Sequence, residues 1–91
     1  MEDPHQLREH QEVLYRFVSR GEDGLLETAL LRGAGGGLKL TCRLEGPEGE
    51  ESVAIEDPGR DVESALSFAR AVAESRTHPR IIPELWEEFA P

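Results

Sequence analysis

Apolar residues recur with a helical period in residues 57–76, DPGRDVESALSFARAVAESR. Charged and small polar side chains occupy one side of the helical wheel and apolar side chains occupy the other, as in an amphipathic helix. The stacked apolar positions are Val62, Leu66, Ala69 and Ala73. We therefore predict a helix over about 60–76. Asp57 ahead of Pro58 is a candidate start signal, because a carboxylate accepts the free amide hydrogens of a first turn, and Gly59 is a second candidate boundary.

Residues 38–44, LKLTCRL, alternate instead with a period of two. The leucines and Cys42 point to one side, which is typical of a strand with one solvated face. The positions on the solvated side are Lys39, Thr41 and Arg43. The turn-forming stretch GPEGEE at 46–51 and the short apolar run SVAIE at 52–56 follow. This order predicts a β-hairpin that packs against the helix.

The first third of the chain is compatible with two interpretations. Residues 3–21 have helically spaced apolar positions, yet VLYRFV at 13–18 is β-branched and aromatic, which favours a strand. The stretch GLLETALLRG at 24–33 has the same ambiguity. If both stretches form strands, their apolar side chains lie on both faces, and such strands need cover on both sides.

The tail, THPRIIPELWEEFAP at 77–91, contains prolines that prevent one long helix. Pro83 suits the first turn of a short helix, which places Leu85, Trp86 and Phe89 together.

Together these patterns predict a single α+β domain over residues 1–91, with residues 1–10 as a candidate disordered segment. A helix at about 60–76 and a short C-terminal helix at about 83–90 cover one face of a small antiparallel sheet of three or four strands. The strands are expected at about 13–19, 25–31, 38–44 and 52–56.

The glycine-rich stretch RGAGGGLKLT at 32–41 shares only its composition with a phosphate-binding loop. That loop needs GxxxxGK[ST] between a strand and a helix, with the lysine and the hydroxyl residue adjacent. Here leucines separate Lys39 from the last glycine and from Thr41, and the following residues alternate as a strand. No helix N-terminus is therefore offered to a phosphate. We interpret the stretch as a connection between two strands.

The sequence contains no set of residues that indicates catalysis, a metal or a cofactor. His5 and His10 lie about 140° apart on a helix, and His78 precedes a proline, so no pair has ligand spacing. Cys42 lies on the apolar side of a strand, where a thiol without a neighbouring base is a small buried hydrophobe. We therefore expect no enzymatic activity and no small-molecule substrate.

The 91 residues carry a formal net charge of −9, from 19 acidic and 10 basic side chains. Nucleic acids and anionic membranes repel such a chain, and no apolar run approaches the roughly 20 residues of a membrane span. The single cysteine excludes an internal disulfide and fits a reducing compartment, so we expect a cytoplasmic location. Acidic side chains concentrate between residues 45 and 57 and in the tail, where a solvated surface is expected.

Two stretches, VAIEDPGRDVESALSFARAV and HPRIIPELWEEF, resemble a family of short proteins of unknown function from spore-forming Gram-positive bacteria. In that family a strand ends in an acidic turn, leads into an amphipathic helix and closes with a proline and a short acidic-aromatic helix. The matching positions are Ile55, Glu56, Asp57, Val62, Leu66, Ala69, Pro79, Ile82, Leu85, Trp86, Glu87, Glu88 and Phe89. The resemblance covers residues 38–90 and implies strands before residue 45 and a bacterial, intracellular protein. Because the family has no assigned activity, the resemblance indicates no particular enzymatic role.

We therefore predict a small non-catalytic interaction or regulatory module. The two-faced strands of the first third suggest a sharper hypothesis, a homodimer in which a second copy covers the free face of the sheet. The candidate contact residues are Tyr15, Phe17, Leu26, Leu30, Trp86 and Phe89. The alternative is an acidic adaptor or antagonist that docks a basic protein partner or mimics nucleic acid.

Overall fold

The computed structural model describes residues 11–58 and 61–89 and consists of one antiparallel sheet and two helices. The strands are β1 (Glu12–Gly21), β2 (Gly24–Arg32), β3 (Leu38–Gly46) and β4 (Gly49–Glu56), in the spatial order β1-β2-β3-β4. The helices are α1 (Val62–Glu74) and α2 (Ile82–Phe89). The predicted α+β class is confirmed, and each of the two ambiguous stretches of the first third contains a strand within its described residues. The segment 1–10 lies outside the described residues.

The strands are longer than predicted and their turns are shorter. The expected turn over 46–51 contains only Pro47 and Glu48, because Gly46 pairs with Gly49 and the ladder continues through Glu50 and Glu51. Gly49 adopts a φ of +126°, which a glycine tolerates without steric cost. The start of β4 carries exposed glutamates and therefore has no apolar alternation from which a strand is predicted.

The strand register divides the sheet into two faces. The face covered by the helices contains the buried leucines of β2 and β3 together with Cys42 and Ile55. A register shift at Leu14 turns both Leu14 and Tyr15 towards this covered face, where they pack against the core. We call the opposite side the open face. Its residues are Val13, Arg16, Val18, Arg20, Leu25, Glu27, Ala29, Leu31, Lys39, Thr41, Arg43, Glu45, Glu50, Ser52, Ala54 and Glu56.

The core lies between the covered face and one side of α1. Three of the helix residues that enter it are alanines, which let the helix approach the sheet closely, and Phe68 and Val72 fill the remaining space. Ile82 of α2 is fully buried in the same cluster. The described chain measures only 16 Å along its shortest principal axis, which corresponds to one sheet and one layer of helices. No described helix lies on the open face.

The N-cap of helix α1 lies four residues after Asp57, the predicted start signal. This N-cap is Asp61, whose Oδ1 accepts a hydrogen bond of 2.8 Å from the Ser64 N–H. Asp57 instead directly follows the end of β4, where it adopts a φ of 52°. Its N–H donates a 2.9 Å hydrogen bond to the Leu38 carbonyl oxygen. Both aspartates suit a cap chemically, and only the path of the chain decides between them.

Replacing Asp61 with alanine is expected to lower the melting temperature, whereas Asp61→Asn should retain most of it because an amide oxygen also caps a helix. The hydrogen bond from the Ser64 N–H lowers the pKa of the Asp61 carboxyl below its ordinary value. The carboxylate's contribution is therefore present at neutral pH and disappears as the pH falls through the folded-state pKa. Thermal unfolding followed by circular dichroism, from about pH 7 to about pH 2, measures the melting temperatures of the wild type and both variants. Equal melting temperatures of wild type and Asp61→Ala at neutral pH would contradict it.

The end of α1 is tied to the β1–β2 turn by Arg76. Its guanidinium donates to the Ser19 hydroxyl, to Asp23 Oδ1 at 2.6 Å and to the Gly24 carbonyl oxygen at 3.4 Å. Gly21 leaves room for this group, because a Cβ at that position would lie 2.6 Å from Arg76 Nη2. Residues far apart in sequence are thereby joined at one end of the sheet.

Candidate interaction surface

The structure places the predicted contact residues differently from one another. Leu26 and Leu30 have exposed fractions of 2% and 0% and lie under the helices, so they are not accessible to a partner of this fold. The structure corrects the prediction for these two residues, because the register turns Leu25 and Leu31, rather than Leu26 and Leu30, to the open face. Single leucines in a two-faced strand do not reveal which face a helix covers.

The aromatic candidates belong to the helix-covered side of the molecule. Tyr15 is half-buried against the core, whereas Phe17 is 40% exposed near the β1 edge. Trp86 is half-buried and packs against Phe68, with ring centroids 5.3 Å apart and ring planes tilted by 59°. This geometry is favourable for aromatic rings and makes Trp86 an anchor of α2. The Phe89 side chain lies outside the described part of the structure.

Cys42 is buried in the sheet, as the alternating pattern predicts. Its Sγ accepts a 3.8 Å hydrogen bond from the Thr28 hydroxyl and lies 3.9 Å from the Thr77 carbonyl oxygen. Burial raises the pKa of the Cys42 thiol, and the hydrogen bond from Thr28 offsets this only in part. The thiol is therefore less readily ionised in the folded protein than in water.

A maleimide reagent is expected to label Cys42 of the folded protein about a hundredfold more slowly than in the urea-unfolded chain, because the sulfur is exposed only when the chain unfolds locally or globally. Since the folded-state pKa is raised, the folded protein loses stability as the pH rises above the pKa of the unfolded thiol. Mass spectrometry of timed samples measures the labelling. Equal rates in the folded and unfolded chains would contradict the buried position.

A series of side chains with alternating charges crosses the open face from the edge strand β1 to the edge strand β4. Glu27 accepts from Arg16 Nε at 2.5 Å and from Arg43 Nη2 at 3.2 Å, and Arg43 Nη1 lies 3.4 Å from Glu50 Oε2. We call these four residues, Arg16, Glu27, Arg43 and Glu50, the charge ladder. Each strand supplies one member, and the signs read plus, minus, plus, minus across the sheet. The side chains are partly solvated, so the ladder contributes little to folding.

The open face is neutral although the chain has a net charge of −9. Its charged residues are four cationic and four anionic side chains, Arg16, Arg20, Lys39, Arg43, Glu27, Glu45, Glu50 and Glu56. The two edges differ in sign, because the charged residues that β1 contributes are arginines and those that β4 contributes are glutamates. The excess negative charge therefore lies elsewhere on the molecule.

Apolar side chains are interspersed with these charges. Val13 and Val18 have exposed fractions of 57% and 40%, and Leu25 and Leu31 are half-buried on the same face. Sixteen residues of a four-stranded sheet thus form a surface of mixed apolar and charged character, without a described helix over it.

A cleft of about 570 Å³ lies at the end of the sheet where both hairpin turns meet. Its acidic lining consists of Glu22, Asp23, Glu48, Glu50 and Glu51. His78 and Arg80 also line it, but Glu51 binds both, with His78 Nε2 at 3.1 Å and Arg80 Nη2 at 2.5 Å. The other ring nitrogen, Nδ1, accepts from the Arg80 N–H at 3.1 Å. Both nitrogens of His78 thus have partners within the chain.

The charged residues of the open face are absent from the predicted contact set, although part of the signal is visible in the sequence. The alternation in 38–44 places Lys39, Thr41 and Arg43 on the side away from the leucines. The partners Arg16 and Glu27 require the register between β1 and β2, and the shift at Leu14 disturbs the alternation there.

Among the residues that the structure describes, no group of three or more His, Cys, Asp or Glu side chains could hold a metal ion. Within the same ranges, neither helix has the length and hydropathy needed to cross a bilayer.

Comparison of the chain with family models, with curated proteins and with solved structures found no match in any of the three. The resemblance to the family from spore-forming bacteria therefore stays a prediction.

Proposed function

We propose that this protein is a small non-catalytic interaction module that binds another protein through the open face of its sheet. The supporting observation is that the exposed Val13 and Val18 share one face with charged side chains whose charges sum to zero. No described layer covers this face. The buried, unpaired cysteine is compatible with a cytoplasmic location.

The physical argument concerns the cost of leaving this face in water. Each exposed valine or half-buried leucine on the open face retains apolar area that a partner would remove from water, at about 25 cal/mol per Å². The four charges of the charge ladder are already paired within the chain, so a partner with complementary charges meets these side chains held near their binding geometry. No comparable set of exposed apolar side chains lies on the described outer side of α1.

Site-specific photo-crosslinking in the cells that make the protein tests this function. A photoreactive amino acid replaces Ala54, an exposed alanine on the open face, and in a matched control it replaces Ala71, an exposed alanine on α1. We expect adducts of defined mass from position 54 only. Equal adducts from both positions, or none from position 54, would overturn the proposal.

A second candidate function rests on the cleft at the turn end of the sheet. Asp23, Glu50 and Glu51 of its lining already pair with cations of the chain, but Glu22 and Glu48 have no such pair within the described residues and suit an adaptor or antagonist that docks a basic protein. Binding of a decalysine peptide should weaken steeply between about 50 and 200 mM salt, because the attraction is screened. Glu48→Gln in the cleft should weaken the binding more than Glu84→Gln on α2, which changes the net charge equally. Equal effects of both substitutions would contradict a site in the cleft.

A further inference from the structure

We propose that the partner of the open face is a second copy of this chain, related by a two-fold axis that runs parallel to the strands. This inference rests on the proposed function, because it names the occupant of the same surface. It is carried by the order of charges in the strand register, which in this orientation brings opposite charges together without placing like charges over each other.

The register defines four rows across the open face, each with one residue from every strand. One row contains Arg20, Leu25, Glu45 and Glu50, and the next contains Val18, Glu27, Arg43 and Ser52. A two-fold axis parallel to the strands superposes each row on its own copy in reversed order, so β1 lies over the partner's β4 and β2 over the partner's β3.

Reversal of the rows brings opposite charges together. Arg20 comes over Glu50 of the partner subunit, and Glu27 comes over Arg43 of the partner subunit. In the remaining rows a charged residue meets an apolar or neutral one, because the rows are Arg16, Ala29, Thr41, Ala54 and Val13, Leu31, Lys39, Glu56. No like charges face each other in any row.

The other two-fold arrangement, with the axis perpendicular to the strands, is unfavourable. It places β1 over the partner's β1 and β4 over the partner's β4, so that arginines gather at one edge and Glu50 and Glu56 at the other. Like charges in juxtaposition oppose association. Self-complementarity therefore selects the parallel axis, and neutrality of the face removes the local repulsion that a chain of net charge −9 would otherwise experience.

The area is sufficient for a reversible dimer. Four strands about 4.8 Å apart and about 24 Å long cover roughly 450 Å² per copy in projection. Because side chains make the surface uneven, the two copies together would bury around 1,000 Å². This is the low end of specific interfaces, so we expect dissociation constants of about 10–100 µM.

A charge-swap cycle on the purified full-length chain tests the arrangement by sedimentation equilibrium over about 1 µM to 1 mM. Arg20→Glu and Glu50→Arg should each weaken the dimer about tenfold, and the double variant should return to within about threefold of wild type. Arg20 and Glu50 lie on opposite edge strands of one copy, so only contact between copies produces this rescue. If net charge alone controlled association, Glu50→Arg would strengthen the dimer by making the chain less negative.

Arg70→Glu on the exposed side of α1 is the matched control, because it changes the charge as Arg20→Glu does but lies away from the open face. It should alter the dissociation constant less than about twofold. A monomer at all concentrations, or single variants without rescue in the double variant, would overturn the proposal. Monomeric purified protein together with crosslinks from position 54 to a different protein would remove the second copy and leave the proposed function standing. Crosslinks from position 54 to residues 1–10 of the same chain would overturn both.

Discussion

Leu30→Ala is expected to reduce the free energy of unfolding by about 3–4 kcal/mol, because the substitution leaves a cavity in the centre of the sheet. Leu30 is fully buried and lies between Tyr15 of β1 and Leu40 of β3. A chain of this length has about 5–14 kcal/mol in total, so the melting temperature should fall by about 15 °C. Urea unfolding followed by tryptophan fluorescence and circular dichroism measures the change.

The adjacent leucine supplies a control for this prediction. Leu31→Ala removes the same atoms from a half-exposed position on the open face and should cost less than about 1 kcal/mol in the monomer. The pair therefore separates the two sides of β2, and comparable losses in both variants would show that the assignment of the faces is incorrect.

Gly46→Ala is expected to destabilise the protein by about 3 kcal/mol for a steric reason. A Cβ at Gly46 would lie 2.3 Å from the Asp23 carbonyl oxygen, and a Cβ at Gly24 would lie 2.3 Å from the Glu45 carbonyl oxygen. Backbone meets backbone at both places, so no side chain can rotate away and the two hairpin ends must separate. The urea midpoint measures the loss.

Gly35→Ala in the β2–β3 connection is the matched control. A Cβ there has no atom within 4 Å, and the residue does not require a positive φ. We expect a change within about 0.5 kcal/mol, or a small stabilisation from the reduced entropy of the unfolded chain. An equal loss in both variants would indicate a general intolerance of alanine rather than the close approach at Gly46.

The sequence carried enough information for the main elements but not for their pairing. The strong period of residues 62–74 and the alternation of 38–44 predicted α1 and β3 correctly, because each has one apolar side. The strands β1 and β2 stayed undecided, since Leu25 and Leu31 are apolar yet lie on the open face. Apolar character alone does not distinguish a face covered by a helix from a face left for another partner.

Local chemistry also left two outcomes open that the tertiary structure decides. Asp57 and Asp61 are both suitable caps, and the turn at Asp57 returns to the Leu38 carbonyl instead of starting the helix. The shift at Leu14 places two consecutive residues on one side of β1, so strict alternation misassigns Tyr15 and Phe17 relative to Val13. The charge ladder could not be predicted for the same reason, because its contacts depend on register.

The neutrality of the open face within a strongly acidic chain has a kinetic consequence. In the dimer proposed above, two copies would repel each other while they are far apart, since the excess negative charge acts over distance, and would attract only once the matched faces are close. Added salt should therefore accelerate the encounter of two copies, while the rate of their separation, which is governed by short-range contacts, changes little. A basic protein approaching the same molecule would show the opposite trend, so the sign of the salt effect on the association rate identifies the kind of partner that arrives.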